Sequence, residues 1–250
     1  MSKGSDLVPR FFVEKEQISG GYINITGDDV KHIKRVLRLR EGEAIEVCDG
    51  CGEDLECKIE SLSDDVVKAA IIKRYPNTAE APIELCVYQG MPKNDKMDYI
   101  VQKCVELGVC RIIPVITKRA VSIPRDAEKK TARWQRIADE AAKQCGRGVL
   151  PTVESTVSFA DAIKALSDAD ALSIMPYECE KEGSLSKLLK STDKKKINVF
   201  IGPEGGFDES EVLKAKSVGV HTVTLGPRIL RTETAPLAVC SAIMYELGDW

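Results

Sequence analysis

From Ile83 onward, short apolar β-prone runs alternate with amphipathic helical stretches, and this alternation constrains the fold more than any other feature of the chain. Strands are expected over 83–89, 109–115, 171–175, 198–201 and 222–225, and helices over 95–107, 127–145, 159–167, 209–217 and about 233–247. Strand and helix taken in turn need crossover connections, so the expected architecture is a mostly parallel sheet covered on both faces.

The first third of the chain reads differently. Stretches 22–26, 44–49, 55–62 and 66–72 are strand-prone and separated by Gly, Asp and Ser, which points to a small β-barrel. One helix interrupts them from Asp28 to about Leu39, with Val30, Ile33, Val36 and Leu37 at helical spacing. Its other face carries Lys31, Lys34, Arg35 and Arg38, with His32 close by. That face reads either as a solvated helix surface or as a phosphate-contacting stripe, since cations without interleaved acids suit a polyanion. Residues 75–82 are polar and proline-containing and read as a linker between domains at 1–74 and 83–250; the polar leader 1–10 has no pattern and is set outside the fold.

With 250 residues, 43% hydrophobic and 30% charged, the chain can bury substantial cores. No apolar run is long enough to span a bilayer and the N-terminus lacks a secretory pattern, so no membrane association and a cytoplasmic location are expected. The nine cysteines form no paired framework, and reduced thiols are the expectation. Asp49-Gly50 reads as a two-residue hairpin turn that sets Cys48 and Cys51 opposite each other; with only Cys57 nearby, no metal site is expected. A net charge of -3 does not announce a nucleic-acid binder, so any such contact must come from local basic faces.

Ligands of open parallel sheets bind beyond the carboxyl ends of the strands, which singles out the loops 175–178, 201–207 and 225–235. The second, Ile-Gly-Pro-Glu-Gly-Gly-Phe, is neither a dinucleotide fingerprint nor a Walker loop. The helix after it opens Asp208-Glu-Ser-Glu211, a capping box whose acids would repel a pyrophosphate, so a ligand with little negative charge fits better. Gly202, Gly205 and Gly206 either let backbone approach a flat ring or serve a tight turn that needs positive φ. In the third loop Arg228 and Arg231 precede Thr232-Glu-Thr, where Thr232 or Thr234 can cap the last helix and Pro236 falls in its first turn. These arginines suit an anionic partner, or pair with Glu204 or Glu233. The two histidines, His32 and His221, offer no basis for a hydrolase triad or a histidine metal site.

Six stretches, Arg10–Val13, His32–Leu39, Lys96–Gly108, Arg133–Arg147, Ile201–Phe207 and Leu225–Ala235, together resemble the RsmE-type members of the SPOUT methyltransferases. The resemblance covers nearly the whole chain after the leader. It implies an α/β protein with an N-terminal PUA-like β-barrel for RNA and a C-terminal SPOUT α/β domain whose end is threaded into a trefoil knot, a feature that pattern reasoning would not propose. It also implies a homodimer, S-adenosylmethionine (SAM) as cofactor, and 16S rRNA of the small ribosomal subunit as substrate, methylated at N3 of a uridine (uridine 1498 in standard rRNA numbering). By the same resemblance Met175, Gly202, Pro203, Gly205, Gly206, Leu225, Gly226, Ile229 and Leu230 line the cofactor pocket.

Uridine N3 holds its proton at neutral pH, so a base, or a cation that stabilises the anion over the ring oxygens, is required. Arg231 is the candidate cation, and Glu233 or Glu204 the candidate proton acceptor. Lys31, His32, Lys34, Arg35, Arg38, Arg147 and Arg228 are the candidate RNA contacts; Arg133, Arg136 and Lys143 suit RNA, a dimer contact or a solvated helix. The rival readings are a SPOUT enzyme acting on another rRNA or tRNA base, a non-catalytic ribosome-assembly factor, and a nucleotide-dependent enzyme on a doubly wound sheet, which the acidic helix start disfavours.

Overall fold

A computed structural model of the chain describes residues 8–121, 126–166 and 170–250. The chain divides into two compact units, one made of residues up to Glu80 together with Ala142–Leu150, the other of Ala81–Ala141 and Pro151–Trp250.

The first unit holds β1 (Arg10–Phe12), β2 (Ile18–Ser19), β3 (Tyr22–Thr26), α1 (Asp28–Lys31), β4 (Ala44–Cys48), β5 (Glu53–Leu62) and β6 (Val66–Pro76). The strands form a six-stranded sheet ordered β1-β4-β5-β6-β3-β2, with β1 parallel to β4 and the other pairs antiparallel. Every second side chain points inward, as a pleat demands: Ile23 and Ile25 from β3, Ile45 and Val47 from β4, Leu55, Cys57 and Ile59 from β5. Phe11 of β1 joins the same cluster as Ile23 of β3, four strands away, so the sheet must curl on itself. Register shifts at Glu56/Cys57 and Ile59/Ser61 between β5 and β6 supply local bending.

Three expectations for this unit are corrected. Arg10 is not outside the fold: it opens β1 and forms ion pairs with Glu46 and Asp54. The helix from Asp28 is α-helical only to Lys31; His32–Leu37 is wound as a π-helix, ending at Arg38 with φ 55°. The wider turn breaks the 3.6-residue spacing, so Val30 and Ile33 are buried while Val36 is 67% exposed and Leu37 37%. Finally, the β4–β5 connection is wider than a two-residue hairpin: Asp49 N–H donates to Glu53 O (3.1 Å), Cys48 pairs with Asp54, and Cys51 lies in the loop.

The second unit contains β7 (Glu84–Gly90), α2 (Lys96–Glu106), β8 (Arg111–Ile116), α3 (Ala127–Cys145, its last turn grouping with the first unit), β9 (Thr152–Val153), β10 (Val157–Ser158) and α4 (Phe159–Lys164). It continues with β11 (Ala171–Pro176), α5 (Leu185–Lys190), β12 (Lys196–Ile201), α6 (Glu209–Ser217), β13 (His221–Val223) and α7 (Ala235–Leu247). The strands run parallel in the order β10-β8-β7-β12-β11-β13, with β9 also on β8. Both faces are covered, which is why β7 and β12 read as nearly continuous apolar runs. Cys86, Tyr88, Ile113, Val115 and Phe200 face α4 and α6, while the alternate residues Leu85, Val87, Ile112 and Val199 are buried on the opposite side of the pleat.

The elements β9, β10 and α5 were not foreseen. The helix expected over 159–167 ends at Lys164, and Ser167 lies outside the described residues. The last helix begins at Ala235, two residues later than expected. Among the described residues no helix is long and apolar enough to cross a membrane.

Candidate active site

A cavity of about 910 Å³ opens at the carboxyl end of the second unit's sheet, walled by the segments that follow β11, β12 and β13. Gly202, Pro203, Gly205, Gly206, Leu225, Gly226, Ile229 and Leu230 all line it, as do Glu204, Arg228 and Arg231. Met175 does not. It is fully buried in the apolar layer with Phe200 and Phe207, and the wall on that side is made by Pro176, Tyr177 and Glu178.

The glycine loop is held rigidly from below. Asp208 caps α6 by accepting from Ser210 N–H (3.2 Å), while Glu211 accepts from the Asp208 amide (2.9 Å), completing the expected capping box. Hydrogen bonds from the Ser210 hydroxyl and amide hold the Asp208 carboxyl below its ordinary range. The helix end is thus already supplied with anions and has little use for a phosphate. The glycines themselves make room mainly for protein: a Cβ on Gly206, whose φ is +66°, would sit 2.5 Å from Glu178 Oε1, and one on Gly205 would sit 3.2 Å from Arg119 Cβ. The tight-turn reading therefore accounts for Gly206 alone of the three, while Gly202 and Gly205 have no positive φ and are confined by the packing of Gly206 and Arg119.

The arginine loop is different. Among the described residues, the backbone N–H groups of Leu225, Arg228, Ile229 and Leu230 find no hydrogen-bond partner in the chain. Ile229 is 86% exposed, an unusual position for a large aliphatic side chain. Unpaired amides beside exposed apolar surface offer both halves of what a neutral heterocycle or a zwitterion needs. The end of the loop is anchored by Thr232, whose hydroxyl donates to Gly202 O (2.7 Å) and accepts from Gln89 Nε2 (3.1 Å). Hence Thr232 is not the cap of α7, and Thr234, which occupies the cap position, makes no side-chain capping bond either. The Arg231 carbonyl instead accepts from the amides of Thr234 (2.8 Å) and Ala235 (2.9 Å).

Charge pairing at the cavity departs from expectation. Glu204 and Glu233 are bound by Lys96, whose Nζ lies 3.1 Å from Glu204 Oε1 and 3.0 Å from Glu233 Oε2; Arg228 and Arg231 make no ion pair among the described residues. Burial pushes both carboxyls up, but backbone amides and Lys96 outweigh it and leave both below the ordinary glutamate value. For the same reason, the two carboxylates, Glu233 first and then Glu204, push the Lys96 ammonium up, so it stays cationic; the contact to Glu233 is an ion pair without hydrogen-bond geometry. Lys96 stands in a sequence stretch singled out above but given no role there, because partners 108 and 137 residues away leave no local signal.

The third wall is organised by Glu180, another residue that sequence reasoning missed. Its Oε1 accepts from the amides of Lys181 (3.1 Å), Glu182 (3.1 Å) and Gly183 (3.2 Å), and Thr222 donates to Oε2. The Thr222 hydroxyl first, then those amides, lower its pKa to about 2.

The candidate RNA contacts separate into two groups. His32, Arg35 and Arg38 are exposed on the first unit, Lys31 pairs with Asp28 (3.1 Å), and Lys34 pairs with Asp64 (2.8 Å). Arg147 is a correction: it is 4% exposed, with Nε and Nη2 each 2.8 Å from the two oxygens of Glu80, so its fork is filled and it is not a free surface cation. Arg133 pairs with Asp98 and Lys143 with Asp29 (3.0 Å), while Arg136 is exposed.

Comparison with known proteins agrees with this geometry. An RNA methyltransferase domain model matches residues 79–244 and an RNA methyltransferase PUA domain model matches residues 25–72. The chain is 38% identical over 246 residues to ribosomal RNA small subunit methyltransferase E of Bacillus subtilis (strain 168), covering 95% of this chain and 96% of that one. Its fold is similar to a crystal structure of ribosomal RNA small subunit methyltransferase E from Neisseria gonorrhoeae bound to S-adenosyl methionine, with TM-score 0.87, 32% identity and 97% and 99% of the two chains covered. A Legionella pneumophila methyltransferase solved with bound SAM is similar as well, with TM-score 0.86, 27% identity and coverage of 97% and 99%. The chain belongs to the RNA methyltransferase family, within its RsmE-type group.

Proposed function

We propose that this protein methylates N3 of a uridine in the 16S rRNA of the small ribosomal subunit, uridine 1498 in standard numbering, with SAM as the methyl donor. The observation that carries the reading is the arginine loop: the amides of Leu225 and of 228–230 and the Arg231 guanidinium, which have no partner among the described residues, belong to residues that line one cavity. Relatives named for small-subunit rRNA methylation and neighbours solved with SAM support it.

SAM fits the residues present. Its net charge is not negative, which suits a helix end already occupied by acids, and its adenine and methionine portions can be read by the amides of Leu225 and of 228–230, which have no partner among the described residues. Bound there, it supplies a methyl group made electrophilic by the sulfonium. The protein's task is alignment of the acceptor and management of its N3 proton. Glu204 and Glu233 are ionised and can accept a proton, but their lowered pKa values make them weak bases. Glu204 or Glu233 therefore takes the N3 proton only with the help of Arg231, whose fixed charge stabilises the developing anion over the uracil oxygens and brings the N3 proton within reach of a weak base.

In this reading residues 1–74 form the PUA-like RNA-binding barrel, with Lys31, His32, Lys34, Arg35 and Arg38 meeting phosphate. Of the stretch 75–82 expected as a linker, Tyr75 and Pro76 end β6 and the residues up to Glu80 group with the first unit; in the SPOUT domain that follows, Arg228 contacts RNA beside the cavity. The protein acts in the cytoplasm as a homodimer. In the same reading the C-terminal segment is threaded into a trefoil knot.

The test is transfer of labelled methyl from SAM to small subunits lacking the modification, followed by mass spectrometry of the nucleosides. The expected product is 3-methyluridine, with the rate reduced about 100- to 1000-fold in Arg231→Ala. SAM binding with a different methylated nucleoside would assign another RNA base, and absence of SAM binding would refute the enzyme reading.

A further inference from the structure

The two loops that bring charge to the cavity, 201–207 and 225–235, each contribute one carboxylate, Glu204 and Glu233, and both carboxylates converge on a single ammonium. Lys96 comes from the first residue of α2, outside both loops, and it lines the cavity itself. The same corner is tied a second time, since the Lys93 amide donates to both oxygens of Glu204 (3.1 and 3.3 Å). Two like charges held this close need a counter-ion. Arg231 is near enough to help lower the Glu233 pKa, yet it makes no ion pair among the described residues.

We infer that Lys96 is a positioning residue for methyl transfer: by bridging Glu204 and Glu233 it fixes the glycine loop to the arginine loop and keeps Arg231 out of ion pairs and available to the substrate. The inference rests on the function proposed above for its catalytic consequence, though not for the charge arrangement. Without the ammonium, Arg231 is the cation on the same loop whose charge already acts on Glu233, and the paired carboxylates would draw it in. A guanidinium committed to two carboxylates has little field left for a uracil anion.

Arg231 can be watched directly through its reactivity with phenylglyoxal, measured peptide by peptide by mass spectrometry on the full-length protein. Lys96→Met is expected to slow labelling of Arg231 at least fivefold, Lys96→Arg to leave it within twofold of the parent, and the combined Lys96→Met, Glu204→Gln, Glu233→Gln variant to recover it. Single-turnover methyl transfer at saturating SAM should fall in Lys96→Met and hold in Lys96→Arg, with the fall in rate exceeding any change in SAM affinity; the combined variant, which lacks both candidate proton acceptors, is read by labelling alone. Lys96→Gln serves as a second variant if the methionine form melts early. Unchanged labelling in the folded Lys96→Met or Lys96→Gln protein, or no recovery in the combined variant, would overturn the inference. If labelling behaves as expected while the parent transfers no methyl, the charge arrangement stands and the proposed function fails.

Discussion

Arg147 and Arg231 are both loop arginines in stretches singled out from sequence, and the structure treats them in opposite ways. Arg147, in the first unit, is buried with its fork filled by Glu80, and its carbonyl accepts from Arg10, which in turn meets Asp54. Asp54 also accepts from Asn77, whose amide reaches Gly146 O, so the cluster closes on itself and fastens residues 146–149 to the strands. Arg231, in the second unit, is exposed at a cavity and makes no ion pair among the described residues, while a lysine neutralises the neighbouring acids. Saturated charge fixes structure; unsatisfied charge, held in place by saturated neighbours, is what remains available to a ligand.

The comparison breaks most sharply at Arg147. Replacing it with Ala leaves the Glu80 carboxylate, which also accepts from the amides of Gly148 and Val149, without its counter-ion. The expected loss is about 3 kcal/mol of stability, read from urea denaturation. A loss under about 0.5 kcal/mol would mean that Arg147 behaves as a surface cation after all.

Next in size is Gly206→Ala, which sets a side chain at φ +66° and drives it against Glu178. About 1–3 kcal/mol of strain is expected. Because Gly206 lines the cavity, SAM affinity measured by calorimetry should weaken along with the melting temperature. A stable variant with intact affinity would show that Glu178 swings aside and that the loop is less rigid than its hydrogen bonds imply.

What could be read from the chain divides along the same line. Alternation of apolar runs specified the parallel sheet and α6 to the residue, because burial on both faces and a capping box are local signals. The glycine and arginine loops were legible for the same reason, as breaks at strand ends. Lys96 and Arg147 were not, since each derives its role from partners far along the chain, at Glu204 and Glu233 for one and Glu80 for the other. Short elements failed too: β9 and β10 have two residues each, fewer than a period-2 pattern needs to declare itself. The helix α5 did carry a signal in its Ser184 cap, which accepts from the Lys187 amide, but six residues are too few for a periodic stripe.

Glu180 tests the organised side of the comparison through pH. Its carboxyl is depressed in the folded protein, so its contribution is complete above the ordinary glutamate value of 4.5 and disappears as pH falls toward about 2. The stability difference between the parent and Glu180→Gln should therefore be constant above pH 5.5 or so and shrink as the pH falls below 4.5. Differential melting of the two proteins across that range is the measurement. A difference independent of pH would show that the carboxylate's charge is not what holds Lys181, Glu182 and Gly183.

The smallest expected effect is the most informative about the first unit's basic face. If residues 28–39 formed a regular amphipathic helix, Val36 would belong to its buried stripe and Val36→Ser would cost about 1–2 kcal/mol. The π-helical winding from His32 turns Val36 outward to 67% exposure, beside the exposed Arg35 and Arg38. Val36→Ser should then change stability by less than about 0.5 kcal/mol. An apolar side chain set among cations that carry no ion pair among the described residues is suited to contact the sugar face of a phosphate backbone. The same substitution should accordingly weaken binding to small-subunit RNA by no more than about threefold while leaving its salt dependence unchanged, because no phosphate contact is removed. A steep fall in stability would restore the regular helix, and a changed salt slope would mean that the mutation had moved Arg35 or Arg38.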